Sequence, residues 1–250
     1  VGTDDASDIA VLWIDSQQPL PAATLGCSAD LIVGEYVFAI GNPLGSLGGT
    51  LTDGIISATA RQINIGGSPM TLLQTNAAVN PGNSGGGLFN MAGQLIGVVN
   101  AKCSQDDVEG LGFAIPIDTA YDVICQLIEY GYVRGVVDSG LTLYDASSTL
   151  AAWKNFGSMR LGAYIVESKY SDELRFGDYL LSMNGVSITQ TADAEQVLAT
   201  CAVGDTVTVE VIRLEARTKN GRTEMVETTR TVQLTLREYV PADIDVSFNN

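Results

Sequence analysis

Through about residue 116 the chain is written in short apolar segments cut by glycine, which leaves little room for anything but strands. Glu35 to Ile40, Gly54 to Ala58, Leu72 to Thr75 and Gln94 to Val99 are the clearest of these segments. Each is too short to bury a helical face, so each must find hydrogen-bond partners sideways, as in an antiparallel barrel or sandwich. A helix is predicted only after Pro116-Ile117-Asp118. Asp118 is placed to cap it, Ala120, Val123, Ile124, Leu127 and Ile128 recur on one face, and Gly131 can end it.

After residue 134 the pattern changes. Gly162 to Glu167 and Asp178 to Gly185 read as strands, followed by a helix with Ala194, Val197, Leu198 and Cys201 on one face. Val207, Val209 and Val211 then alternate with polar residues, as do Val232, Leu234 and Leu236, and Asn220-Gly221 between them is a hairpin turn signal. The expected organisation is a mainly β domain over residues 1–116, a linker helix over 117–133, a small β-rich domain with helix over 134–240, and a polar tail over 241–250.

The chain has 13 basic and 29 acidic residues, a net charge of −16. Such a surface repels a phosphate backbone, so nucleic acid is excluded as a partner class, and the dispersed carboxylates read as a solvated surface. Cys27, Cys103, Cys125 and Cys201 lack metal-ligand spacing, and the absence of histidine removes mixed Cys/His zinc sites, so no metal or cofactor is expected. Cys125 and Cys201 are read as buried thiols on apolar helix faces, with Cys27 and Cys103 in loops. No signal-like segment opens the chain, and no apolar run reaches membrane-spanning length. Asp8 to Ile14 nevertheless reads as a core strand with almost nothing before it, which suggests missing upstream sequence.

The run Asn80-Pro81-Gly82-Asn83-Ser84-Gly85-Gly86-Gly87-Leu88 carries the chemistry. Small residues around Ser84 permit a tight turn that exposes the hydroxyl while the backbone N–H groups of Gly82, Asn83 and Ser84 gather into an oxyanion hole. Serine requires an adjacent base, usually an imidazole oriented by a carboxylate, and this chain has none to give. The glycine-rich segment Gly41 to Gly49 lacks the Gly-Lys-Ser/Thr of a phosphate loop and reads as a turn.

Ser7-Asp8-Ile9-Ala10-Val11-Leu12, Ala39-Ile40-Gly41-Asn42-Pro43, Thr52-Asp53-Gly54-Ile55-Ile56-Ser57, Gln74 to Gly86 and Gly110-Leu111-Gly112-Phe113-Ala114-Ile115-Pro116 together resemble the HtrA family of trypsin-like proteases, which carry a PDZ domain after the protease. The resemblance implies the second barrel of a chymotrypsin fold, then a linker helix and a PDZ-like α+β domain. It implies Ser84 as nucleophile and Asp8 as the carboxylate that orients histidine, the histidine lying upstream in a first barrel largely absent here. Val99, Asn100 and Ala101 would offer a strand edge to substrate, and Gly110, Leu111, Gly112 and Phe113 would line the primary specificity pocket, with a preference for small or medium apolar side chains. Arg61 to Pro69 and Lys102 to Glu109 correspond to activation-sensitive loops or to ordinary connections.

In the second domain the resemblance places a carboxylate-binding loop at Ser139, Gly140 and Leu141 and a groove helix at Val197 and Leu198. Asp138 departs from the pattern, because its charge would repel a C-terminal carboxylate. The implied activity is ATP-independent cleavage of unfolded or damaged proteins outside the cytoplasm, from a homotrimer, with membrane attachment through an upstream segment. Two other readings stand beside it: a pseudo-protease that holds peptides without cutting, and a serine–lysine dyad using Lys102.

Overall fold

The computed structural model describes residues 1–42, 49–65, 68–80, 82–100 and 110–242. It divides into two compact units, Val1–Val133 and Arg134–Val240. The first opens with a short hairpin, β1 (Gly2–Asp4) and β2 (Ile9–Val11). Its body comprises β3 (Tyr36–Gly41), β4 (Thr50–Ile65), β5 (Ser68–Thr75), β6 (Gly87–Asn90), β7 (Leu95–Val99) and β8 (Gly112–Pro116). These close into an antiparallel barrel of order β3-β4-β5-β8-β7-β6, sealed by the pairing of β6 with β3.

The period of two explains how the barrel is filled. Along β3, Val37 and Ala39 point inward and are fully buried, while Tyr36 and Ile40 face out. Ile56, Leu73, Leu88, Ile96, Val99 and Ala114 join them inside. The outward residues of β5 and β8, Leu72, Phe113 and Ile115, build a second layer with Ile117, Ala120 and Leu127 of α1 (Ile117–Tyr130). Burying each such aliphatic side chain contributes about 2 kcal/mol, so α1 is held by packing on the barrel wall rather than by helix propensity.

Gly131 ends α1 in the left-handed conformation, its N–H donating to Leu127 O. Asp118, however, does not cap the helix; Pro116 holds that position without a side-chain bond. The Asp118 carboxylate instead accepts from Ser28 Oγ at 2.7 Å and from Ala29 N–H at 2.9 Å, tying the loop before β3 to the helix start. The Ser28 hydroxyl, helped by that N–H, holds the carboxyl below its usual range. Cys125 and Ile128 are exposed, because the buried stripe runs through Ala120 and Leu127 on the other side. The strand expected over Asp8 to Ile14 is shorter than its apolar run: it ends at Val11, where pairing with β1 stops, and Leu12, Trp13 and Ile14 are exposed.

The second unit contains β9 (Val137–Asp138), β10 (Leu141–Ala146), α2 (Thr149–Phe156), β11 (Gly162–Ser168), β12 (Tyr179–Met183), β13 (Val186–Ser187), α3 (Thr191–Leu198), β14 (Thr206–Lys219), β15 (Arg222–Thr235) and β16 (Arg237–Glu238). Its sheet has the order β10-β11-β12-β14-β15 and stays open; β13 pairs with β12, and β16 with β9. Asn220 and Gly221 turn β14 into β15 with φ of 55° and 75°, as the Asn-Gly signal requires. The core gathers Ile165, Leu180, Met183, Val207, Val209, Val211, Val232 and Leu234 beneath Ala194 and Val197 of α3.

An ion pair lies beside this core. Arg213 grips Asp178 through two bonds of 2.7 Å, and Asp178 also accepts the Arg175 N–H at 2.8 Å. With both charges paired and the carboxylate further bonded, the desolvation cost is offset. The sequence pattern misses α2. Ser148 caps it and Gly157 closes it with φ 68°, but Leu150 and Trp153 are exposed, so its apolar period is faint.

Candidate functional site

Ser84 sits at the barrel rim on a loop knitted to β7. Gly85 N–H donates to Val99 O at 2.9 Å, Val99 N–H donates to Gly86 O at 2.8 Å, and Gly86 N–H closes a turn onto Asn83 O. Gly82 and Gly85 adopt φ of 101° and 81°, which a residue with a Cβ rarely does. Gly86 is required by proximity instead: a Cβ there would overlap Ile40 O and Asn83 O. Gly41 plays the same part from β3, since its missing Cβ leaves room for Asn83. The glycine-rich stretch after β3 therefore begins as a seat for the serine loop. Ser84 itself is exposed, and Asn83 beneath it is buried.

Of the three N–H groups expected in the oxyanion hole, that of Asn83 is spent in a turn, donating to Asn80 O at 2.9 Å. That N–H is therefore not available to a further acceptor in this arrangement. Asn83 Nδ2 donates to Ala78 O at 3.4 Å, and its Oδ1 is a buried acceptor without a hydrogen-bond donor among the described residues.

Asp8 ends the β1–β2 turn with φ 56°, a left-handed conformation that aspartate tolerates better than most residues. The same turn is tightened by Asp4, whose carboxylate accepts from Ser7 N–H and Oγ. Asn100 Nδ2 donates to Asp8 Oδ2 at 3.1 Å, while Asn100 N–H donates to Phe113 O at 2.9 Å. Asn100 is buried. The Ser84 loop thus rests on Val99, and Asp8 on the next residue, so two segments distant in sequence converge on Val99-Asn100.

The substrate-binding expectations fare unevenly. Val99 cannot offer a free strand edge, because β7 is paired on both sides and the Val99 N–H and C=O are both engaged with the serine loop. Ala101 and Lys102 lie outside the described residues, as does most of the segment up to Gly110. Phe113 does not line a pocket with its side chain; alternation along β8 turns it into the layer beneath α1. Gly112, on the opposite face, lies against Val79, Ala77 and Thr75, where a Cβ would crowd them. Leu111 packs partly against the α1 layer and Gly110 is exposed with φ 78°.

In the second unit, β10 pairs on one side with β11 and is in contact with α3. Thr191 fastens the start of α3 to the end of β10, its N–H and Oγ1 each donating to Asp145 at 2.8 Å. Val197 is turned into the core rather than toward solvent, and Leu198 packs partly on that core. Ser139 is buried, Gly140 has φ 64°, and Leu141 begins β10 with its N–H donating to Ser139 Oγ at 3.3 Å.

Comparison with known proteins matches residues 1–98 to a trypsin-like peptidase domain and residues 157–229 to a PDZ domain. Serine protease Do-like HtrB of Bacillus subtilis (strain 168) is 36% identical over 250 residues, covering 93% of this chain and 53% of that protein. A probable periplasmic serine endoprotease DegP-like of Pseudomonas savastanoi pv. phaseolicola (strain 1448A / Race 6) is 39% identical over 227 residues, covering 88% and 46%. The chain therefore spans about half the length of these curated relatives. Among solved structures, an HtrA-type protease AlgW with decapeptide superposes with a TM-score of 0.55 at 32% identity, covering 96% of this chain and 71% of that one.

Proposed function

The chain belongs to the HtrA family of serine proteases, with a trypsin-like peptidase domain followed by a PDZ domain, and from that premise we propose that Ser84 is the nucleophile of an ATP-independent endopeptidase acting on unfolded or damaged proteins. The observation that carries the reading is the convergence of the Ser84 loop and Asp8 on Val99-Asn100. An imidazole takes the Ser84 proton as Oγ attacks the peptide carbonyl, and Asp8 holds that imidazole in the tautomer that accepts it. The N–H groups of Gly82 and Ser84 stabilise the oxyanion; the imidazole then protonates the leaving amine, and water resolves the acyl-enzyme.

No histidine is present among the 250 residues, so on this reading the imidazole comes from outside them and the chain alone is inactive. The PDZ domain presents unfolded segments or peptides to the peptidase, and the setting is extracytoplasmic, a reading supported by the description of the Pseudomonas relative as periplasmic.

Fluorophosphonate labelling of this chain and of the product of its complete gene, each beside its Ser84→Ala variant, tests the proposal. Serine-dependent labelling is expected only in the longer product, with turnover falling about a thousandfold or more in its Ser84→Ala variant. Labelling of the 250-residue chain would put a base within it, Lys102 first. Failure of both proteins to label or to cleave casein would favour a peptide-holding pseudo-protease, the reading that the missing histidine itself recommends.

A further inference from the structure

The loop at the start of β10 has the chemistry of a carboxylate cradle, and one carboxylate already lies in it. Asp138 Oδ1 accepts the Gly140 N–H at 2.7 Å, and Asp138 Oδ2 accepts the Tyr170 phenol at 2.5 Å. The Leu141 N–H, next along, donates to Ser139 Oγ. Two consecutive N–H groups of the loop are therefore occupied by side chains of the loop itself.

The surroundings favour an anion. The Arg237 guanidinium stacks 4.4 Å from the centre of the Tyr170 ring, Lys169 Nζ lies 5.3 Å from it, and Arg237 is the cross-strand partner of Asp138. Gly140 presses against the Tyr170 ring so closely that a Cβ would overlap it, and Lys169 N–H donates to Gly140 O at 2.8 Å. The bond to Asp138 raises the Tyr170 pKa and keeps the phenol a donor. Loop, ring and carboxylate form one closed set of contacts.

Beside this filled cradle, the outer edge of β10 is unpaired among the described residues, since β10 ends the sheet. We infer that Asp138 is a built-in occupant of the carboxylate cradle, so that the PDZ domain takes extended peptides along β10 without selecting a free C-terminal carboxylate. The inference rests on the peptide-binding reading above and specifies its ligand as an internal or C-terminally blocked segment. A terminal carboxylate arriving at the loop meets a like charge and N–H groups already in use.

The test uses the full 250-residue chain, immobilised, and an equimolar pool of random decapeptides ending in valine, half free acids and half amides distinguished by isotopic label. The unaltered protein is expected to retain acids and amides within about twofold of each other. Asp138→Ala, which empties the cradle, should enrich acids about tenfold, a loss of like-charge repulsion and a gain of N–H donors together. Asp138→Asn, which keeps the acceptor for Gly140 while removing the charge and turning the Tyr170 partner from acceptor to donor, should enrich them less and guards against misfolding of the alanine variant. Acid enrichment of tenfold by the unaltered protein, or none by either folded variant, overturns the assignment alone. Retention of no peptide by any of the three, with unaltered circular dichroism, overturns the peptide-binding reading and the assignment with it.

Discussion

The two units use the same β-strand material to opposite ends. In the first, six strands close on themselves, and every barrel strand is flanked on both sides. In the second, the sheet stops at β10 and β15, leaving two edges. Closure removes the backbone groups with which a sheet recognises other chains. In the first unit the exposed serine is accordingly carried by a rim loop, Gly82 to Gly86, whose turns are bonded back onto β7. The open unit keeps backbone groups unpaired along its end strands, and such an edge must be guarded against unwanted pairing.

Proline substitution is the most severe way to break the contrast. Ala39 is buried and paired with both Thr52 and Leu88, so Ala39→Pro should cost about 4 kcal/mol or more and abolish the cooperative melt of the first unit. Along Leu141–Ala146, a proline scan should instead find positions costing under about 1 kcal/mol, where the lost N–H points outward. Equal severity in both strands would mean that β10 is covered in solution.

Hydrogen exchange sharpens the comparison without mutation. Alternate amides of β10 should exchange about 100-fold faster than those of β7, which is laddered on both sides.

The smallest effect expected is at Asp118, where the loop before β3 is tied to α1. The folded carboxyl titrates below its ordinary value, so its contribution is present above about pH 4 and fades as pH falls through the folded pKa. Asp118→Asn should lower the melting temperature by about 1–3 °C near neutrality, modest because the group is exposed. The gap from the unaltered protein should close as pH falls below 3.9, an ordinary aspartate value of about that size being the upper bound of the window.

The mainly β class was legible because glycine spacing and two-residue alternation are local signals. Asn220-Gly221 was legible for the same reason, since a turn type is written in two adjacent residues. What escaped depends on phase or on distance. Phe113 was expected in a pocket from the family resemblance, but one step along β8 separates the barrel interior from the α1 layer. Cys125 looked buried because it stands among apolar neighbours, though the helix turns it away. Asp118 looked like a cap, and no local rule could have revealed that Ser28 and Ala29, about ninety residues earlier, would claim its carboxylate. Val99 looked like an open edge because a single strand does not record how many neighbours it will have. Asp138 was read as a repelling charge, and its partner Tyr170, 32 positions on, supplied the rest.

The seat of Ser84 has a consequence in time. Its loop is bonded to Val99, and the Asp8 carboxylate reaches Asn100 across 92 positions of chain. Contacts of such separation are among the last to be rewarded in folding, because a large loop must be closed before they form. A nascent chain therefore carries the serine long before it carries the geometry that presents it. Until the barrel closes, Ser84 is an ordinary serine hydroxyl on an extended chain, with neither Val99 nor Asn100 in place to gather its loop and the Asp8 turn.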